Sequence, residues 1–434
     1  MASRQTSNPQ RTRVRSCGPP AKQSVAALLP EEILDSIFAQ LGLDYSTHAR
    51  PEDRMQRDHS LSNVSVVAEG WLKPARRLLA RRVRILGWTH LQEEVEEGLG
   101  KQLRDLDIQG YYREAVTSQE AADAVFRLLK RLPNLRRLRL AGIPCDSFNP
   151  IDSSSMHAAV LIPHLHDLNI FLIPFPHSLI VDLLATSGHR IDRLSVDDTS
   201  GPVAPHAVYR QIDFRGKLRF LSTGSSFYRT LVDPRLVALE GLKGLEELQL
   251  QGIGPRSTEG GEETYHVIAP TLRTLRINCN DVTLFAKILS LFSILSRLLI
   301  TGFHSPDDAD PTPLLRSLPS SLSALRLDND EQLGPSLARW TAAPSLVPAR
   351  LKQIQIDYIQ NYETYQQLPL VPTLRTNYRS TTLNHLQRLS PATVPFKTLE
   401  MRFYDSHLNR RSDVEAQCRR LGVIFRQRLQ YRDA

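Results

Sequence analysis

Short alternations of apolar and polar residues recur along most of the chain. The clearest is Leu242-Lys-Gly-Leu245-Glu-Glu-Leu248-Gln-Leu250, which has the form L-x-x-L-x-x-L-x-L. Its closing Leu-x-Leu has period two, which is typical of a strand with one apolar face and one polar face. Other full, short or weak copies begin at Leu103, Leu132, Leu165, Ile191, Leu218, Leu272, Leu295, Leu322, Leu351 and Phe396.

Most copies follow one another at about 23 to 32 residues, which is near the period of leucine-rich repeats. One short strand cannot bury its leucines alone, whereas stacked neighbours form a parallel sheet with a continuous leucine core. We therefore predict an α/β fold: an irregular leucine-rich-repeat solenoid with a parallel sheet on the concave face and helices and loops on the convex face. The alternative is an ordinary α/β domain with leucine-rich strands.

The segments between the copies predict the outer layer. Helical periodicity marks 118–132, 177–186, 234–242 and 282–292, whereas 141–158, 252–267, 304–313 and 357–376 are predicted to be loops. Near the end of the chain, Ser412 and Glu415 form a capping-box pattern and Gly422 is a helix-terminating signal. A helix and a short terminal strand are expected there.

The N-terminal quarter has a different composition. Residues 1–24 are polar and basic with almost no large apolar side chains, so we expect a disordered tail. Three amphipathic segments follow at 28–41, 61–71 and 75–85, and each has helical spacing of its apolar residues. The sequence therefore predicts a small three-helix module before the repeats.

The three segments read L-P-x-E-I-L-x-x-I-F-x-x-L, then L-x-x-V-x-x-V-x-x-x-W, then P-A-R-x-L-L-x-R-x-V. This order resembles an F-box, in the variant found in fungal F-box proteins with degenerate leucine-rich repeats. The ending Cys418-x-x-x-Gly422-Val423 is similar to that family as well. The resemblance implies a module that docks on the Skp adaptor of a cullin–RING ubiquitin ligase. The residues matching its adaptor-contacting or module-core positions are Leu29, Pro30, Ile33, Leu34, Ile37, Val64 and Trp71.

The predicted organisation is a tail at 1–24, an F-box-like module at 25–88 and a solenoid with a C-terminal cap at 89–434. The loop between the first two helices is longer than is usual in the family, and Gly70 precedes Trp71. Glycine weakens a helix by about 1 kcal/mol relative to alanine. We therefore expect these departures to weaken adaptor binding or to abolish it. The alternative for 25–88 is a helical cap that shields the first repeat.

Charge and cysteine content bear on possible partners and on the cellular compartment. The chain has a net charge of +8, of which residues 1–88 hold about +6, so the repeats carry no basic stripe of the kind that binds nucleic acid. There is no secretory signal and no apolar run long enough for a membrane span. The four cysteines are far apart, as in a reducing compartment. We expect a cytoplasmic or nuclear location.

The sequence contains no recognisable catalytic motif, and we expect no enzyme activity, cofactor or metal. His164 and His166 lie two residues apart, but no third metal ligand has a known spacing. Asp307, Asp308 and Asp310 form only part of a calcium loop. Cys279 has no partner base nearby in the sequence.

In x-L-x-L-x strands the polar residues line the inner face. This face is predicted to hold Asp107, Arg139, Asn169, Ser195, Gln249, Arg276, Leu299, Arg326, Gln355 and Glu400. Arg276 and Arg326 flank Leu299 one repeat to either side, an arrangement suited to an acidic or phosphorylated segment. We predict substrate contacts at Arg139, Gln249, Arg276, Leu299 and Arg326. The alternative is a solvated face with scattered charge.

The resemblance implies a substrate receptor of a cullin–RING ubiquitin ligase. Its partners would be the Skp adaptor, the ligase and a protein substrate that the sequence does not name. The alternative is a non-catalytic interaction scaffold with a degenerate F-box. A third hypothesis is that the chain is a leucine-rich-repeat activator of a small GTPase. A GTP hydrolysis assay would detect that activity.

Overall fold

A computed structural model gives the fold of the repeat region. The structure describes residues 82–86, 103–109, 128–129, 131–141, 164–171, 177–196, 211–224, 228, 233, 237–250, 261–279, 282–303, 312–327, 347–357, 359, 365–366, 368, 371–403 and 405–428. The chain divides after Leu79, and every described strand and helix belongs to the unit Ala80–Ala434.

Within the described residues, fourteen strands form one sheet in which every strand is parallel to its neighbours. Spatial order follows sequence order from β1 to β14, so each repeat contributes one strand beside the previous one. The strands are Arg82–Leu86, Asp105–Gln109, Arg137–Ala141, Asp167–Phe171, Arg193–Val196, Phe220–Thr223, Glu247–Leu250, Thr274–Cys279, Arg297–Phe303, Ala324–Leu327, Gln353–Ile356, Val371–Asn377, Phe396–Arg402 and Ile424–Arg428. The α/β repeat architecture is therefore confirmed.

The strand register places equivalent leucines side by side. Leu275 lies between Leu248 and Leu298, and Ile277 lies beside Ile300. These two apolar rows are almost completely buried in the interior of the sheet. Residues of the turn before each strand, such as Leu272, are buried in the same core. The L-x-x-L-x-L pattern thus records burial at three successive points of each repeat.

The turns that lead into the strands share one hydrogen-bond arrangement. Two consecutive backbone N–H groups of one repeat donate to a single carbonyl oxygen of the preceding repeat. This occurs from β3 to β11, with donor–acceptor distances between 2.7 and 3.2 Å. Glu246 and Glu247 donate to Arg219, and Arg273 and Thr274 donate in turn to Glu246. These bonds satisfy backbone groups that the closely spaced turns would otherwise leave unpaired.

At β12 the arrangement loses one of its two donors. The register places Pro372 level with Lys352, and proline has no backbone N–H. Only Thr373 donates to the Lys352 carbonyl oxygen, at 3.1 Å. The sheet nevertheless continues in register through β13 and β14.

Helices cover the leucine side of the sheet. The described α-helices are α1 His177–Ser187, α2 Gly261–Ile268, α3 Val282–Leu289, α4 Thr312–Ser317, α5 Thr382–Arg388 and α6 Arg411–Arg420; short 3-10 helices occupy Gly188–Arg190, Leu239–Leu242 and Asp405–Arg410. Apolar side chains of these helices, including Leu184, Phe285 and Leu386, belong to the same core cluster as the strand leucines. Each repeat therefore buries its leucines between one strand and its connecting segment.

The predicted helices are confirmed at 177–186 and 282–292, where α1 and α3 lie. In the described part of the prediction at 234–242 the helix is wrong at Val237, which forms a parallel bridge with Ile212, and Leu239–Leu242 is a 3-10 helix. Of the predicted helix 118–132, Leu128 and Leu129 are described and are helical.

Two predicted loops contain regular structure instead. The end of the predicted loop 252–267 lies in α2, whose apolar residues Tyr265 and Ile268 face the core. The end of the predicted loop 357–376 lies in β12, where Leu374 and Thr376 occupy the two buried rows. Because threonine replaces the second leucine, the leucine pattern did not predict this strand.

The predicted helix at 75–85 is wrong at its end, because Arg82–Leu86 is a strand that pairs with β2. Val83 and Ile85 have the period-two spacing of a strand, with Arg82 and Arg84 at the alternate positions. The sheet thus begins within the range assigned to the F-box-like module.

The C-terminal helix and strand are confirmed as α6 and β14. Gly422 has a φ of 71°, as expected for a left-handed residue that ends a helix. Val423 donates to the Cys418 carbonyl oxygen at 2.8 Å, and Gly422 donates to that of Arg419 at 3.2 Å. The capping box is wrong, since α6 begins at Arg411 and no side chain caps it.

Other predictions fall outside the described residues. They are the tail at 1–24, the helices at 28–41 and 61–71, the adaptor-binding residues Leu29, Pro30, Ile33, Leu34, Ile37, Val64 and Trp71, and the partial calcium loop at Asp307, Asp308 and Asp310. Among the described helices, none is long and apolar enough to cross a membrane.

Leu298 and Leu299 are neighbours of one residue type on opposite faces of β9. Leu298 is 1% exposed in the core, whereas Leu299 is only half-buried on the other face. We expect Leu298→Ala to lower the free energy of unfolding by about 2–5 kcal/mol through lost burial and cavity formation. Leu299→Ala should lower it by less than about 1 kcal/mol. Urea unfolding followed by circular dichroism measures both, and equal losses would contradict the two-faced sheet.

Candidate protein-interaction face

One line of side chains crosses the sheet on the face opposite the leucines. We call it the central row. The strand register aligns Asp107, Arg139, Asn169, Ser195, Ser222, Gln249, Arg276, Leu299, Arg326, Gln355, Arg375, Glu400 and Arg426. Ten of these residues were predicted from the sequence to share this face. Ser222, Arg375 and Arg426 were not, because their strands lack a complete leucine pattern.

The predicted substrate contacts are only partly brought together. Gln249, Arg276, Leu299 and Arg326 occupy four adjacent strands, β7 to β10. Arg139 lies on β3, four strands from Gln249, or about 19 Å at the usual strand spacing. The predicted flanking of Leu299 by two arginines is correct in register, and Arg139 belongs to a different part of the face.

The two arginines that flank Leu299 differ in their surroundings. The Arg326 Nε donates to Asp357 Oδ2 at 3.0 Å, and its Nη2 makes a second, closer contact with the same oxygen. Its charge is therefore largely offset by a buried carboxylate. The Arg276 Nε is buried and donates to no described residue. Asn278 Oδ1 and Thr301 Oγ1 lie on the same two strands as Arg276 and Leu299. Both atoms are also buried and have no hydrogen-bond partner among the described residues.

Near the first strands, opposite charges alternate and neutralise one another. The Arg137 Nη1 lies 3.3 Å from Asp105 Oδ2, and its Nε lies 2.9 Å from Asp167 Oδ2. The Arg139 Nη1 lies 3.9 Å from Asp107 Oδ2. The described side chains of β2 to β4 on this face thus hold at least as much negative charge as positive charge.

In the middle of the sheet the central row is uncharged from Ser195 to Gln249. Gln249 Nε2 donates to Glu247 Oε1 at 2.7 Å. On the flanking row, the Arg193 guanidinium lies over the Phe220 ring, 4.2 Å from its centroid. These contacts give Gln249 and Arg193 partners within the sheet.

On the outer face of the last five strands, arginines outnumber carboxylates. Arg326, Arg375, Arg426 and Arg428 surround the carboxylates Asp357 and Glu400; we call these six residues the arginine cluster. The Arg375 Nε donates to Glu400 Oε2 at 2.5 Å, and the Arg426 Nη1 lies 3.7 Å from Glu400 Oε1. The Gln355 Nε2 donates to Asp357 Oδ1 at 2.6 Å.

Arg428 responds electrostatically to the other charged members of the cluster. Burial lowers the pKa of its guanidinium, and the charge of Arg375 lowers that pKa further. Asp357 and Glu400 act in the opposite direction, whereas Arg326 adds to the lowering. Arginine remains protonated in proteins, so burial and then the like charge of Arg375 destabilise the Arg428 guanidinium.

The two histidines and the cysteine with candidate chemistry lie before β4 and at the end of β8. His164 and His166 precede β4 instead of lying on a strand, and His166 Nδ1 is 3.1 Å from the Arg190 carbonyl oxygen. Among the described residues, no group of three His, Cys, Asp or Glu side chains is placed to hold a metal ion. Cys279 ends β8, and its side chain is outside the described part.

Comparison with known proteins shows no family. No protein-family model matches the chain, and no curated protein matches it. Among solved structures, the chain is similar to one described as the crystal structure of the Rad7 and Elc1 complex in yeast, with 12% sequence identity, a TM-score of 0.34 and 92% of each chain covered. A likeness at that TM-score does not establish a shared fold or function.

Cys418 is a free thiol on the buried face of α6. Burial raises its pKa to about 12, and the nearby charge of Glu415 adds to the effect. A free thiol with a pKa near 8.5 is partly ionised at pH 8, whereas Cys418 is almost entirely neutral there.

We therefore expect iodoacetamide at pH 8 to leave Cys418 unmodified in the folded chain and to modify it rapidly in 6 M guanidinium chloride. Peptide mass spectrometry reports the modification of this residue separately from that of the other cysteines. Equal modification rates in the folded and unfolded chains would show that α6 does not protect the thiol.

Proposed function

We propose that the chain is an F-box substrate receptor of a cullin–RING ubiquitin ligase. In this proposal the module at 25–88 docks on the Skp adaptor, and the central row of the sheet with its flanking side chains captures a protein substrate. The observation that carries the proposal is the sheet itself. Parallel strands in sequence order hold a line of outward side chains that is polar at every position except Leu299, which is an architecture that repeat proteins use to bind other proteins.

The sequence supplies the second support. The F-box resemblance at 28–85 provides the reason to expect an adaptor, and its contacts are proposed at Leu29, Pro30, Ile33, Leu34, Ile37, Val64 and Trp71. Apolar residues arranged at helical spacing suit a helix that docks in a partner's groove. Because β1 begins at Arg82, the third helix of such a module has to end before that residue.

A receptor of this kind needs no catalytic residues of its own. It holds substrate near a conjugating enzyme, which raises the effective concentration of substrate lysines. The described side chains that face away from the core, chiefly ion pairs and amides, are consistent with recognition of a protein surface.

A second candidate is a non-catalytic interaction scaffold with a degenerate F-box. Two observations favour it: Gly70 next to Trp71, and the strand Arg82–Leu86 in place of the end of the third helix. Both shorten or weaken the helices that an adaptor would contact. Adaptor binding distinguishes the two candidates, because the scaffold needs none.

We expect the full-length chain to co-purify with the Skp adaptor and Leu29→Ala with Ile33→Ala to reduce capture at least about tenfold, as loss of apolar anchors does in other interfaces. The matched control is Leu408→Ala with Ile424→Ala, since both residues are exposed, at 45% and 58%. A quantitative pull-down from a reconstituted mixture measures all three proteins.

The control should retain wild-type capture. Failure of the wild-type chain to bind, or equal capture by Leu29→Ala with Ile33→Ala, would remove the ligase proposal and leave the scaffold. Equal losses in both double variants would show that the effect comes from general destabilisation instead of adaptor contact.

A further inference from the structure

The arginine cluster holds more positive charge than its own carboxylates can offset. We propose that it binds an extended acidic segment of a partner protein. The designation of that partner as the substrate rests on the proposed function, whereas the binding itself does not. The proposal concerns β10 to β14, which share Arg326 with the Leu299 site predicted from the sequence and extend away from it.

The two carboxylates lie at the base of the cluster and the arginines lie above them. The side chains of Asp357 and Glu400 are 11% and 13% exposed, whereas those of Arg326, Arg375 and Arg426 are 42%, 35% and 65% exposed. A partner that approaches this face therefore meets guanidinium groups first. Guanidinium groups bind carboxylates with two parallel hydrogen bonds, which suits aspartate and glutamate side chains.

Both carboxylates have partners within the cluster. Asp357 accepts from Arg326 at one oxygen and from Gln355 at the other. Glu400 accepts from Arg375 at one oxygen, and its other oxygen is near Arg426. Two carboxylates thus already pair with three arginines, and Arg428 adds a fourth positive charge beside them. An incoming carboxylate would relieve the repulsion that Arg428 experiences from Arg375 and Arg326.

The length of the cluster matches a short peptide. Five strands span four interstrand spacings, or about 19 Å. An extended chain rises about 3.3 Å per residue, so about six residues would cross the cluster. Alternate side chains of such a segment point toward the same face, which places about three acidic groups against four arginines.

The charge distribution favours an acidic peptide over a nucleic acid. Phosphate backbones bind best along continuous basic stripes. Here the central row holds three arginines on the last five strands, is uncharged from Ser195 to Gln249, and gives way to Asp105, Asp107 and Asp167 on the first strands. A short ligand avoids these carboxylates, whereas a longer phosphate chain would cross them.

The test uses the full-length chain and a fluorescein-labelled hexapeptide of alternating glutamate and serine, with binding followed by fluorescence anisotropy in low salt. We expect Arg426→Gln with Arg428→Gln to weaken binding at least about tenfold. The matched control is Arg411→Gln with Arg419→Gln, which removes the same charge from exposed positions of α6. The control should bind within about twofold of the wild type.

Circular dichroism and thermal melting confirm that both double variants remain folded. Three results would overturn the proposal: no measurable wild-type binding, equal binding by the Arg426→Gln, Arg428→Gln variant, or an equal loss in the α6 control, which would indicate dependence on net charge alone. A single-stranded oligonucleotide of equal charge is run in parallel. If it binds more tightly than the peptide and requires the same arginines, the site is one for nucleic acid instead.

Failure of this proposal is distinguishable from failure of the proposed function. The hexapeptide assay contains no adaptor and tests only the sheet. If the peptide binds through the cluster but the adaptor is not captured, the acidic-segment site stands and its partner is not a ligase substrate. If the adaptor is captured but the peptide is not bound, the receptor has a different recognition site.

Discussion

The structure depends on burial of two in-register apolar rows between the sheet and its connecting segments. Because side chains alternate along a strand, a shift of one residue in any strand would expose its leucines and bury its charges. The paired backbone donations at the strand entries oppose such a shift, since each repeat is hydrogen-bonded to one carbonyl of its predecessor. Side-chain burial and backbone hydrogen bonding thus select the same register.

That register also determines the opposite face. Once Leu298 and Leu325 are neighbours in the core, Leu299 and Arg326 must be neighbours on the outside. The charged residues of adjacent repeats consequently form ion pairs whose partners are separated by 25 to 32 residues in the sequence, as in Arg375 with Glu400 and Arg137 with Asp105. The ion pairs follow from the leucine rows and are weak evidence for stability by themselves.

The sequence predicted those parts of the fold in which leucine marks both buried rows. It did not predict β12, because Thr376 fills the second row and Pro372 interrupts the entry turn. It did not predict β1, because Val83 and Ile85 follow a segment with helical spacing. The pairing of Arg326 with Asp357 could not be predicted from the sequence either. Asp357 lies one position beyond the strand Gln353–Ile356, where alternation alone does not give the direction of a side chain.

Regular repeats have both paired hydrogen bonds at the strand entry and two buried leucine rows, whereas the irregular end of the sheet lacks part of each. At β12 one entry donor and one leucine are missing, yet the strand remains in register because Leu374 keeps the first buried row and the ladder to β13 is complete. The core therefore tolerates reduced repeats as long as one row is continuous. The outward positions of these strands are free of that constraint, and they hold the arginine cluster. Packing does not require four arginines there, which leaves these positions available for the binding that we propose.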